Sequence, residues 1–218
     1  VVGANLGTSW KPYEDKMSLA TSSSDASIKV FKMGYDFTGE MKVTPNNLRG
    51  DGVLKWSEAE FSSKDMVYET NGVNADSGAI KIYAADPNKI AFNSGNLKSN
   101  IDFTKREGKF TANNPNDLTL LPFNQSCSTM NDYKWNMDDK TIDINIGTKG
   151  SKTPYFVSTK PNQDSLKFEA KHALFNITTG VLAIDEIPYI DVADSRVFPF
   201  EGKAFIRENA EMDTLFNS

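Results

Sequence analysis

The 218-residue sequence predicts an all-β chain, an elongated antiparallel jelly roll or solenoid-like stack of short hairpins. Three observations carry that expectation. Apolar and polar residues alternate in one short segment after another, which is the period of a half-buried strand. Windows with the i, i+3, i+4, i+7 spacing of an amphipathic helix are few. Asn, Asp, Gly and Pro cluster between the alternating segments, where they supply turn conformations at low cost.

The clearest strand is 140–146, with Ile142, Ile144 and Ile146 on one side and Thr141, Asp143 and Asn145 on the other. Segment 165–170 repeats the pattern with Leu166, Phe168 and Ala170 inward. Further strands are expected at 28–33, 39–43, 52–56, 66–69, 79–83, 100–103, 109–112, 153–158 and 203–207. Turns are expected at Pro45-Asn46-Asn47, Arg49-Gly50-Asp51-Gly52, Asn71-Gly72, Asp86-Pro87-Asn88, 113–117 and Thr179-Gly180. One hairpin is explicit: 174–178 runs into Thr179-Gly180 and returns through 181–184, so that Phe175 and Ile177 meet Leu182 and Ile184. The chain reads as a single all-β segment, 1–218, with a soft internal boundary near 147–153.

Composition bounds the function. Hydrophobic residues make up 39% of the chain, aromatics 11%, and there are 14 Phe, too apolar a mix for a disordered chain and enough for a sizeable core. The 24 Lys and Arg are interspersed with 29 Asp and Glu for a net charge of -5, so no basic stripe offers itself to polyphosphate and nucleic acid is excluded as a partner. The single cysteine, Cys127, excludes an internal disulfide and a multi-cysteine zinc site, and reads as a small half-buried residue. No apolar run is long enough to cross a bilayer as a helix. The chain opens on Val1-Val2-Gly3-Ala4 without an initiator Met and stops at 214–218, which predicts a segment of a longer protein whose targeting signal lies elsewhere. On that reading, a strand near 203–207 is a sheet edge that pairs with a neighbour, is shielded by a loop, or frays.

Residues for chemistry are sparse. His172 is the one histidine, in a strand-like setting, and no nucleophile, phosphate-binding or zinc-protease motif occurs. The expectation is a non-enzymatic protein with no catalytic residue, no resident metal and no cofactor. Carboxylates cluster at Asp138, Asp139 and Asp143, and at Asp185 and Glu186 with Asp191 and Asp194. Such oxygen ligands suit Ca2+, but neither cluster has the spacing of a calcium loop, and solvated faces are the plainer reading, with calcium as the alternative. Asn124 and Asn176 open N-glycosylation patterns. Trp10, Trp56, Trp135, Tyr133 and Tyr189 could stack on sugar rings if exposed, although core or edge packing is the commoner use of such side chains.

Segment 164–182, Phe168-Glu169-Ala170 followed by Phe175, the Thr178-Thr179-Gly180 turn and Val181-Leu182, resembles the rhythm of OstA-like domains, the β-jelly-roll units of lipopolysaccharide transport proteins. From about residue 39 to 206 the chain is similar to stretches of very large envelope proteins of Bacteroidota, through 43–52, 101–110 and 187–199. These resemblances imply an extracytoplasmic place, in the periplasm or at the outer membrane, with the remaining segments of the parent protein and envelope lipid or glycan as partners. Three functions follow as expectations. The first is a structural or binding module of a large cell-envelope protein. The second is a lipid or lipopolysaccharide conduit of OstA-like type, its apolar seam formed by Phe168, Phe175, Ile177, Leu182 and Ile184. The third is a carbohydrate-binding or carbohydrate-active domain.

Overall fold

The computed structural model describes residues 2–3, 6–23, 26–31, 34–148, 153–163 and 166–213. The chain is all-β: among these residues the only helical elements are short 3-10 turns, and every strand pairing is antiparallel. The first half holds β1 (Val2–Gly3), β2 (Leu6–Lys11), β3 (Lys16–Thr21), β4 (Ile28–Val30), β5 (Tyr35–Val43), β6 (Leu48–Lys55), β7 (Ala59–Tyr68), β8 (Gly72–Tyr83) and β9 (Ile90–Asp102). Shorter strands follow: β10 (Glu107–Ala112), β11 (Thr119–Leu121), β12 (Ser126–Ser128), β13 (Asp132–Asn136), β14 (Thr141–Asn145), β15 (Tyr155–Ser158) and β16 (Lys167–Glu169). The last are β17 (His172–Asn176), β18 (Val181–Asp185), β19 (Ile190–Val192), β20 (Ser195–Val197) and β21 (Ala204–Ile206).

Strands β5 to β9 form a meander, and a line of register shifts crosses it between Gly50 and Gly52, between Ala75 and Gly78, and between Gly78 and Ile80. That line is a crease that divides the long strands into halves. Beyond it the sheet continues as two layers. The C-terminal half of β9 pairs with β10, and the ladder runs on through β13, β14, β17, β18 and β21. The N-terminal half of β9 meets β11, and that ladder runs through β12, β15 and β16. At the other end β5 divides in the same way, its C-terminal half pairing with β3 and then β2, its N-terminal half with β4 and then β1.

The two layers close on one core. Along the longer layer, paired residues line up as two buried rows, Phe110–Tyr133–Ile144–Ala173–Ile184–Ala204 and, either side of Gly108, Ile101 with Trp135–Ile142–Phe175–Leu182–Ile206. Opposite them lie Phe37, Leu54, Phe61 and Ile80, then Phe156 and Phe168, whose rings stack at 6.0 Å. Contacts between the layers fix their facing: the Phe92 and Tyr133 rings meet at 5.0 Å, and Trp56 stacks on Trp135 at 6.0 Å. Burying each of these large side chains contributes roughly 1.5–3 kcal/mol, so the doubled row pattern is the main stabilising feature of the fold.

Several expectations change in detail. Arg49-Gly50-Asp51-Gly52 is no turn but the crease inside β6, where a Cβ on Gly50 or Gly52 would lie 3.1 or 2.9 Å from the Phe37 ring. Phe61 covers Gly78 in the same way, at 2.6 Å. Ile146, expected inward with Ile142 and Ile144, is exposed because β14 ends at Asn145 and the chain has left the ladder. In the hairpin, Phe175 faces Leu182 as expected, but Ile184 faces Ala173, and Ile177 lies beyond the strand, its N–H bonded to the Lys140 carbonyl. Most of the proposed boundary at 147–153 lies outside the described residues, 149–152; the ladder pairs β12 with β15 and β14 with β17 across it. Strand β21 is an edge shielded by a loop, with the Asp213 N–H on the Phe205 carbonyl at 2.9 Å and an isolated bridge from Ile206 to Met212.

Candidate functional site

The five residues of the expected apolar seam all lie inside the common core: Phe175, Leu182 and Ile184 on the rows of the longer layer, Ile177 at the turn after β17, and Phe168 on the shorter layer. They do not share one surface. Phe168 borders a cavity of about 60 Å3 with Phe156, Leu166, Ile206 and Met212, and Ile177 borders a different pocket at the turn ends.

That second pocket, of about 340 Å3, opens where four turns converge. Ile82, Trp135, Met137 and Ile177 form its apolar floor, with Glu58 and Lys140 at the rim. Beside it Arg106, held at a positive φ of 54° in the β9–β10 turn, donates to Glu58 at 2.6 Å and to Asp138 at 2.8 Å, tying three turns together. Burial pushes the Glu58 carboxyl up, but hydrogen bonds from Ser57 and Arg106 outweigh it and hold the group below its usual range. The hydrogen bonds to both carboxylates raise the Arg106 pKa further, so its charge is fixed. Glu58 is thereby an anchored ion-pair partner, shared between the Ser57 hydroxyl and the Arg106 guanidinium.

A polar trough of about 480 Å3 lies on the outer face near the crease, bordered by Arg49, Asp65, Asn74, Asn100 and Lys109 among others. Two pairs of its groups satisfy one another: Arg49 with Asp65 at 2.5 Å, and Asn100 Nδ2 donating to Asn74 Oδ1 at 2.5 Å.

The expected acidic clusters separate in the fold. Asp138 turns to Arg106, Asp139 accepts from Asn136, and Asp191 forms a two-pronged pair with Arg196. Asp143 and Asp185 instead flank His172, whose Nε2 and Nδ1 lie 3.1 and 3.0 Å from their carboxylates; both contacts are hydrogen bonds at once when the ring carries two protons. This triad follows from pairing His172 with Asp185 across the Thr179-Gly180 turn, so the hairpin register carried the signal. Among the described residues no group of three or more His, Cys, Asp or Glu is arranged to hold a metal ion.

Asn124 has a structural use that its sequence pattern did not suggest. It is fully buried, and its Nδ2 donates to the carbonyls of Gly180, Ile206 and Arg207 at 2.9, 3.0 and 3.1 Å, binding the β11–β12 turn of one layer to β18 and β21 of the other. In this fold that nitrogen is not available to a glycan. A second inter-layer link is the buried chain in which the Ser94 and Thr119 hydroxyls lie 2.8 Å apart, Thr119 lies 2.5 Å from the Tyr133 hydroxyl, and that hydroxyl donates to the Met130 carbonyl.

Of the aromatic residues considered for sugar stacking, Trp56, Trp135 and Tyr133 are core residues, and Tyr189 has Arg196 over its ring at 3.9 Å. Trp10 is 61% exposed. It sits on the β2–β3 hairpin, which contains no buried residue yet continues the sheet from β5. Comparison with protein families, with curated proteins and with solved structures finds no match.

Proposed function

We propose that this chain is a non-enzymatic structural or binding module of a large cell-envelope protein, acting outside the cytoplasm as a rigid length of folded β-sheet. The observation that supports this most is the closed, continuous core: inward rows from both layers fill the space in which an acyl-chain conduit would have to lie. The ion pairs at the grooves point the same way, because Arg49 with Asp65 and Arg106 with Glu58 and Asp138 hold strands and turns together. The likeness of 164–182 to OstA-like jelly rolls, and of 39–206 to envelope proteins of Bacteroidota, supplies the extracytoplasmic setting.

The test separates this reading from a lipid or lipopolysaccharide conduit. In a Trp10→Phe variant the tryptophan emission comes only from the core residues Trp56 and Trp135. Titration with a monomeric dodecyl-chain amphiphile and with lipid A should leave their emission unchanged and produce no saturable signal. A saturable shift, with faster amide exchange at Phe175 and Leu182, would mean that the layers part to admit an acyl chain and that the module reading is wrong.

A further inference from the structure

We infer that β2 is a pairing edge for a second copy of this chain, joined antiparallel about a twofold axis through Thr8. The edges of the described ladder differ in how they are protected. Strand β1 is two residues long, β16 is three residues with Lys167 and Glu169 at its ends, and β21 is covered by residues 211–213. Those are recognised ways of blunting an edge. Strand β2 is the least protected: its one charge is Lys11 at the turn end, it runs six residues with no charge or proline from Leu6 to Trp10, pairs without interruption with β3 on one side, and has no strand on the other among the described residues. Its outer backbone donors and acceptors are open to a further strand.

The side chains favour a second copy as that strand. Cross-strand partners share a face, so Leu6, Thr8 and Trp10 stand on the same side as Thr21, Leu19 and Met17. That side continues through Met41 and Val43 of β5 to Met66 and Tyr68 of β7, of which Met41, Met66 and Tyr68 are buried. The inner apolar face therefore reaches the edge and is left exposed there, Trp10 most of all. When β2 pairs with itself in the register that sets Thr8 against Thr8, Leu6 of each copy falls opposite Trp10 of the other, and Gly7 opposite Ser9. No like charges oppose one another within 6–10, and the apolar rows of two molecules join across the contact. A partner strand with charged residues at those positions would leave them against Trp10.

One pair of six-residue strands buries less than a standard protein interface, so the expected association is weak, with dissociation constants of roughly 10 µM to 1 mM. This inference goes beyond the module reading, which stands whether or not the chain self-associates. Sedimentation equilibrium of the 218-residue chain should show a reversible monomer–dimer equilibrium. T8K sets two lysines against each other at the axis and should weaken association about tenfold, whereas T8V should preserve it. In a Cys127→Ser background, T8C should form an intermolecular disulfide under mild oxidation, since the residue faces its own copy at a Cα separation within disulfide reach, about 4.5–5.5 Å. S9C, set against Gly7, should not. A chain that stays monomeric with T8C uncrosslinked overturns the inference, as does a dimer that T8K leaves intact, which would place the contact elsewhere.

Discussion

Gly39 and Gly52 face each other across β5 and β6 so closely that a Cβ on Gly39 would lie 2.2 Å from the Asp51 carbonyl oxygen, and one on Gly52 would lie 2.1 Å from that of Thr38. The neighbours are backbone, which cannot swing aside as a flexible side chain does. Gly39 also holds a φ of 140°, outside the range that other residues adopt readily. Gly39→Ala or Gly52→Ala should therefore cost about 2–4 kcal/mol in urea unfolding. Gly95→Ala is the control: its Cβ meets only the Ala79 Cβ at 3.8 Å, ordinary contact, and should stay within about 1 kcal/mol of the parent. Equal effects at all three positions would show that the crease is not a point of close approach.

Asn124 should be among the most sensitive polar positions. Asn124→Ala removes three hydrogen bonds between the layers and leaves the carbonyls of Gly180 and Ile206 in a dry interface, an expected loss of about 2–4 kcal/mol. Gln125→Ala, which removes a bond from an exposed amide to Asn209, should change stability by about 0.5 kcal/mol or less. Hydrogen exchange in Asn124→Ala should rise first at the β17–β18 turn and at β21; undisturbed protection there would separate Asn124 from the layer contact.

Stability should fall in alkali before the backbone itself is attacked. Burial pushes the Tyr133 hydroxyl up to about 12, against an ordinary value of 10.0, with the Thr119 and Ser94 hydroxyls offsetting part of the effect. Burial raises Tyr68 as well. The protonated form is favoured in the folded state, so this contribution is complete below about pH 10 and is lost as pH rises towards 12. For Tyr133 it amounts to about 2–3 kcal/mol. Absorbance at 295 nm should show two of the seven tyrosines ionising only as the chain unfolds. Seven ordinary titrations in a folded chain would contradict the buried placement.

The hairpin of β17 and β18 was legible because its Thr-Gly turn and alternation agree, and the register pairing Phe175 with Leu182 follows. The long strands were legible only in part. Segments 66–69, 79–83 and 100–103 turn out to lie mainly in the second halves of β7, β8 and β9. Across the crease the inward positions change parity, from Ala59 and Phe61 to Met66 and Tyr68 in β7, and from Val73 and Ala75 to Ile80 and Ile82 in β8. A bulge inserts an unpaired residue, so strict period-two reading loses the strand at its middle. The inter-layer use of Asn124 left no local trace, since its three acceptors lie more than fifty positions away in the chain. The short strands β11 and β12 carry too few residues to establish a period.

After β9 the chain visits the layers by turns: β10 joins one, β11 and β12 the other, β13 and β14 the first, β15 and β16 the second, β17 and β18 the first again. From β13 onward each new hairpin pairs back past the strands just laid down: β13 with β10, β15 with β12 and β17 with β14. Assembly of this half is thus templated, as in weaving, where a row cannot be added until the row beneath it is in place. The meander of β5 to β9, which needs only sequential neighbours, is the natural nucleus, and order spreads from it towards β21 with the two layers advancing together. A defect at β13 would halt growth of its own layer and, through Tyr133, deprive the other of the surface on which Thr119 and Phe92 pack.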